Sequence, residues 1–162
     1  GGYGLIRFSH FLSLLLMLTA SLGIITAATQ CMRQTDLKAL IALSSVSHMN
    51  LVVVAVLIQS KWSFNGAMIM MIAHGLTSST LFCLANTTYE RTNSRTMILL
   101  RGTTLILPLT STWWLTILLF NMALPPSVNF YAELLILTST FNWSTMAFML
   151  ITLNLVFTTA YT

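Results

Sequence analysis

The chain has 162 residues, of which 56% are hydrophobic and only 6% charged, with a mean hydropathy of +0.85. A soluble domain carries about a quarter charged residues, so this composition excludes one and describes a membrane protein. The net charge of +4 and pI near 9.5 come from seven basic residues set between apolar runs, a pattern of topology signals and lipid-headgroup contacts rather than of a nucleic-acid surface.

Backbone groups in hydrocarbon must bond within helices or closed barrels. The apolar runs are long and do not alternate, which argues against barrel strands. The expected fold is therefore all-α: a polytopic membrane helix bundle of about five transmembrane spans forming a single transmembrane domain over residues 1–162. The opening segment, Gly1-Gly2-Tyr3-Gly4, has no initiator methionine, no charged n-region and no cleavage site, and so suggests a fragment or a split polypeptide. Its glycines precede no strand–turn–helix pattern, and no nucleotide site is expected there.

In chain order the spans are expected at about 11–30, 39–58, 66–86, 104–141 with an interruption at Pro125-Pro126, and 144–161. The loop after the first holds Arg33 and Lys38, and the loop after the third holds Arg91, Arg95 and Arg101. These two loops should share one face, opposite Arg7 beside His10 and Lys61. The positive-inside rule then puts the more basic face in the cytoplasm or its equivalent, the mitochondrial matrix.

Ionisable groups at membrane depth are costly, at about 2.5–3.5 kcal/mol or more, so each calls for a reason. The candidates are His48, His74 and Glu133. In the second span Ser44 and His48 share a face at i, i+4, with Ser45 and Ser47 beside them; in the third, His74, Thr77 and Ser78 form a similar stripe. One reading is that these groups hold helices together through interhelical hydrogen bonds. The other is a file that passes protons, since histidine changes charge near neutral pH and burial favours the neutral form of a carboxyl. Two histidines and one acid in so small a domain favour the second. No metal site is expected, because no third ligand with recognisable spacing accompanies the histidines. Cys31 and Cys83, far apart and without CxxC neighbours, are read as packing residues. Lys38, at the start of the second span, either snorkels to the interface or joins the polar file.

Pro125 and Pro126 remove two backbone donors and clash with the preceding turn, so a helix cannot run regularly through them. A broken helix frees carbonyls and creates a new helix N-terminus inside the membrane, an arrangement used at transporter ion sites. Either Ser127 or Asn129 is expected to cap the second half, with Glu133 a turn or more beyond. At that distance the helix dipole acts weakly, which leaves Glu133 able to exist both protonated and charged. The alternative is a proline hairpin joining two full spans.

The strings Gln34-Thr35-Asp36-Leu37-Lys38, Ser44-Ser45-Val46-Ser47-His48-Met49, Met71-Ile72-Ala73-His74-Gly75-Leu76, Leu81-Phe82-Cys83-Leu84-Ala85-Asn86, Tyr89-Glu90-Arg91 and Ala123-Leu124-Pro125-Pro126 resemble the subunit 4 family of mitochondrial NADH–ubiquinone oxidoreductase. These are antiporter-like, proton-pumping membrane subunits of respiratory complex I, and the resemblance runs along essentially the whole chain. It implies that His48 and His74 are the family's two histidines on adjacent helices of the central hydrophilic axis, that Lys38 is the lysine of its TDLK motif, and that Glu133 is the acid of the second discontinuous helix, where a proton exit toward the intermembrane space begins. It implies a multi-pass protein of the mitochondrial inner membrane whose partners are other membrane-arm subunits, further antiporter-like ones among them, the remaining part of subunit 4, and lipids. NADH, FMN, iron–sulfur clusters and ubiquinone are expected elsewhere in the complex, and no redox cofactor in this chain. The family is built from two inverted five-helix repeats and this sequence matches the later part, so the earlier half, with its own glutamate and lysine, is expected on another segment or polypeptide. Two alternatives stand beside this reading: a stand-alone Mrp-type cation/proton antiporter subunit, and a structural membrane piece with a vestigial half-channel.

Overall fold

The computed structural model describes residues 2–8 and 14–162. Among the described residues eight helices follow one another: α1 (Gly2–Phe8), α2 (Leu14–Cys31), α3 (Leu37–Ile58), α4 (Lys61–Thr92), α5 (Thr103–Ile106), α6 (Pro108–Asn121), α7 (Val128–Trp143) and α8 (Thr145–Tyr161). Among the described residues the only extended pairing is a single bridge between Asp36 and Thr96. The all-helical expectation holds. His10 and the first residues of the span expected at 11–30 lie outside the described residues.

Among the described residues two helices, α3 and α4, are long and apolar enough to cross a bilayer. The others are shorter, from 14 to 18 residues for α2, α6, α7 and α8. Helix α4 is longer than its expected 66–86 because its true start is a capping box. Ser60 Oγ accepts from Ser63 N at 3.1 Å while Ser63 Oγ accepts from Ser60 N at 3.0 Å, so two orphan donors are satisfied and the helix begins at Lys61. Gln59, left-handed at φ 56°, closes α3 just before it, and the result is a tight antiparallel α3–α4 hairpin.

The expected span at 104–141 is broken twice rather than once. Pro108 excludes helical geometry at the residue before it, and Leu107, at φ −129° and ψ 69°, separates α5 from α6. The second break begins ahead of the double proline. Ala123 takes φ 54°, with Leu124 N bonded to Leu119 O at 3.4 Å and Ala123 N to Phe120 O at 3.3 Å, which is a Schellman ending with alanine in the place glycine usually occupies. Left-handed geometry at a non-glycine residue costs about 1–2 kcal/mol. Pro125 and Pro126 then prevent resumption until Ser127 starts α7.

Both halves lie along α4, end to end and antiparallel to it. Trp114, Ile117 and Leu118 of α6 pack on the cluster of Ile41, Leu81 and Ala85. The break faces Ala73, Leu76 and Thr77 across a shared cavity, and Gly66 approaches Ala132, Leu135 and Ile136 of α7. Contacts that march backward along α4 as the chain marches forward through α6 and α7 describe one interrupted rod. A hairpin between two full spans would instead fold α7 back beside α6.

The loops after α2 and α4 do share one face. Leu37 N donates to Arg95 O at 3.1 Å and Met97 N to Thr35 O at 3.0 Å, which ties Arg33, Lys38, Arg91, Arg95 and Arg101 into one end of the bundle. Large apolar side chains such as Leu105, Ile106, Leu109, Trp113 and Met146 are exposed, the surface of a chain that faces lipid or neighbouring protein. Cys31 is buried, as expected of a packing residue, whereas Cys83 is exposed on α4 and packs no interior. Its i, i+3 and i+4 neighbours in that helix point the same way because α4 turns only one narrow face inward.

Candidate functional site

The interior of the bundle is layered. One apolar cluster joins Leu51 through Val56 of α3 to Ala67 and Met70 of α4 and Ala132 and Ile136 of α7; the other joins Ile41 to Leu81 and Ala85. Between them lies a polar layer. Helix α3 supplies Ser44, Ser47 and His48, α4 supplies His74, and α7 supplies Asn129 and Glu133, all of them buried. The antiparallel hairpin dictates the register: Ile41 meets the level of Leu81, so seven residues on, His48 meets His74.

The three ionisable groups named from sequence converge in this layer. His48, His74 and Glu133 are 3%, 7% and 7% exposed. The two imidazoles stand 5.2 Å apart between ring centroids, tilted by 45°. His48 Nδ1 lies 3.9 Å from Glu133 Oε1, too far for a hydrogen bond and close enough that a small side-chain movement or one water closes the gap. His48 Nε2 is buried without a hydrogen-bond partner.

The hydroxyls on the two histidine helices donate within their own helices. Ser44 Oγ donates to Ile41 O and Ser47 Oγ to Ser44 O, each at 2.8 Å, while Thr77 donates to His74 O and Ser78 to Gly75 O. Each donates to a carbonyl one turn back in its own helix and keeps its oxygen free to accept.

Helix α7 presents Glu133 through an N-terminus built for the purpose. Ser127, not Asn129, is the cap: its Oγ accepts from Phe130 N at 3.3 Å and donates to Leu124 O at 2.7 Å. Asn129 has another task. Its Nδ2 donates across the break to Phe120 O at 3.1 Å, a second bond to a carbonyl that already accepts from Ala123 N, and so ties α7 to the end of α6. One turn later on the same face stands Glu133.

Lys38 is not in this cluster. It occupies the first turn of α3, ten residues and about 15 Å of helix from His48, half-buried at the basic end with Nζ 5.9 Å from the Tyr89 ring centroid. Its neighbours are those of the basic end, Tyr89 and Arg95, and not those of the histidine layer.

Helix α8 occupies the expected span at 144–161 and carries polar residues not named from the sequence. Asn154 and Thr158 are buried, and Tyr161 directs a buried hydroxyl toward Ser47, Cys31 and Glu133 without a regular hydrogen bond. The signal was present as polar residues at i, i+4 and i+7 in an apolar helix.

The comparisons with known proteins agree with this architecture. Residues 1–159 match the family described as NADH:quinone oxidoreductase/Mrp antiporter, transmembrane. The chain is 52% identical to NADH-ubiquinone oxidoreductase chain 4 of Porthidium nasutum, over 99% of this chain and 73% of that one. It belongs to the chain 4 family of NADH-ubiquinone oxidoreductase. A second member, from Myxine glutinosa, is 54% identical over 99% of this chain, but this chain spans only 37% of its length. Among solved structures, respiratory complex I from Thermus thermophilus with bound NADH contains a chain that superposes with a TM-score of 0.86 at 26% identity, covering 98% of this chain and 33% of that one. The chain therefore corresponds to about a third of some longer family members.

Proposed function

We propose that this chain forms part of a proton-translocating membrane subunit of respiratory complex I, moving protons across the mitochondrial inner membrane as NADH is oxidised and ubiquinone reduced. The observation that carries the proposal is the buried layer in which His74, His48 and Glu133 follow one another within one small movement of contact. Family membership and the likeness to a complex I chain support it. The redox chemistry belongs to other subunits, where NADH, FMN, iron–sulfur clusters and ubiquinone act, and the neighbours here are other antiporter-like membrane-arm subunits.

Five spans complete the picture, with α2, α3, α4 and α8 crossing singly and α6 with α7 crossing as one discontinuous helix. At about 21 Å and 24 Å, α6 and α7 each fall short of a hydrocarbon core of about 30 Å, and together they exceed it. The basic end of the bundle then faces the matrix. In the file itself, a proton arriving at His74 passes to His48, whose unpartnered Nε2 offers an acceptor, and on to Glu133 through Nδ1. Glu133 releases it near the helix break. Lys38 stands at the matrix-side mouth, outside the file.

Vesicles holding the assembled complex test this directly. His48→Ala and His74→Ala should each lower NADH-driven proton transport a few-fold, with assembly intact, because water can bridge the space left by one ring. No sodium-driven proton flux should appear without NADH. Sodium–proton exchange in the absence of NADH would establish the stand-alone antiporter reading instead, and unchanged transport in the double variant would leave the layer a structural role only.

A further inference from the structure

We propose that the cleft between Lys38, Tyr89 and Arg95, with the apolar cavity that continues it along α6, is a binding site for one anionic phospholipid. The site lies at the basic end of the bundle, stands apart from the histidine–glutamate layer and rests on its own geometry.

Two compartments of opposite character meet there. A cavity of about 300 Å³ is lined mainly by apolar and hydroxyl side chains, including Leu37, Leu100, Thr104, Trp114, Leu115 and Leu118. A narrow cleft of about 10 Å³ lined by Lys38, Tyr89, Ser94 and Arg95 shares Leu37, Thr88 and Leu100 with it. The cleft has room for little more than a water, so a headgroup sits at its mouth, beside the apolar cavity. Along α6 the lining runs from Thr110 to Leu118, about 12 Å of helix, and it leads from the basic end toward the level of the break. That is the direction an acyl chain takes from a headgroup into a bilayer.

The cations lack a counter-charge. Lys38 Nζ and Arg95 Cζ lie 5.9 Å and 4.7 Å from the same tyrosine ring. Both are held to its π-face, yet among the described residues no carboxylate comes within ion-pair distance of either, the one such contact being that of His48 with Glu133. Glu90 engages Asn86 at 2.7 Å, and Asp36 makes no side-chain bond to cap α3. Lys38 also sits in the first turn of α3, where the helix dipole opposes a cation and favours an anion. Arg95 is exposed and Lys38 half-buried, so the two present a positive mouth to the cavity that favours a negative group. A phosphate ester provides it, and arginine suits its geometry.

The adjoining cavity decides which phosphate. A free anion leaves Leu100, Trp114, Leu115 and Leu118 uncovered, and an apolar helix from a neighbouring subunit covers them while leaving both cations unpaired. A lipid with an anionic headgroup satisfies the two compartments together.

The test uses the assembled complex in phosphatidylcholine vesicles doped with phosphatidylglycerol that carries a photoreactive group on its acyl chain. Cross-links should map to residues 110–118, and excess unlabelled phosphatidylglycerol should abolish them where excess phosphatidylcholine or inorganic phosphate does not. Arg95→Gln should reduce labelling roughly tenfold, the worth of one charge-assisted hydrogen bond, and Arg95→Lys should restore most of it. Equal labelling by a phosphatidylcholine analogue would show ordinary boundary lipid and overturn the proposal. So would labelling indifferent to Arg95→Gln, or an unlabelled segment, which would mark the groove as covered by another subunit. Headgroup selectivity in the unaltered complex is decisive by itself if a variant fails to assemble.

Discussion

Glu133→Gln should abolish proton transfer through this chain while leaving the complex assembled. Glutamine matches glutamate in shape, keeps a hydrogen-bonding head toward His48 and fits the same space on α7, so the polar layer stays packed. What it lacks is a site that gains and loses a proton. Removing a positioned proton-transfer group typically costs about a hundredfold or more, and this is the expected loss in the transport rate assigned to this subunit, with coupled quinone reduction falling alongside. Glu133→Asp should fall between, because one methylene fewer widens the 3.9 Å separation from His48 without removing the acid. Native gels report assembly, and a pH-sensitive dye in vesicles reports transport. Full activity in the glutamine variant would remove Glu133 from the path.

The second large effect is steric. At Gly66 an added Cβ would lie 3.0 Å from Ile136 Cγ1, 3.1 Å from Leu135 Cβ and 3.3 Å from the Ala132 carbonyl oxygen. Two of those neighbours are backbone or attached directly to it, so α4 and α7 must separate to admit a side chain. Close approach of small residues is how helices associate in lipid, where no hydrophobic force drives them together. Gly66→Ala should be tolerated with a modest loss of stability. Gly66→Leu overpacks the contact by about 1–3 kcal/mol or more and also moves Glu133 away from His48, so both the yield of assembled complex and its transport rate should drop. Gly75→Ala is the control, since nothing lies within 4 Å of the position its Cβ would take. Equal behaviour of Gly66→Leu and Gly75→Ala would mean that the α4–α7 contact does not set the site.

Much of the site was legible because hydrocarbon makes its polar residues conspicuous. His48, His74 and Glu133 could be named from cost alone, and an antiparallel hairpin of adjacent helices was enough to bring the histidines level. The position of the helix break was legible only in part. Prolines advertise where a helix cannot continue, yet the ending is made upstream by Ala123 in a left-handed conformation, and alanine carries no such signal. The start of α4 was missed because Ser60 and Ser63 form a capping box with serine where glutamate or glutamine is usual. The bridging role of Asn129 and the inward turn of Tyr161 depend on which residues lie across the gap, and no local pattern encodes that. Lys38 shows the reverse case. Spacing alone does not say what its head meets, and the structure sets it against Tyr89.

The most direct test of the central claim, that Glu133 changes protonation during turnover, is infrared difference spectroscopy of the assembled complex on addition of NADH. The chain has only two glutamates, Glu90 at the exposed end of α4 and Glu133 in the interior, so variants at each position separate them. A protonated-carboxyl band should appear that shifts with isotopically labelled glutamate, disappears in Glu133→Gln and persists in Glu90→Gln. An unchanged carboxyl region in Glu133→Gln, with transport intact, would contradict it.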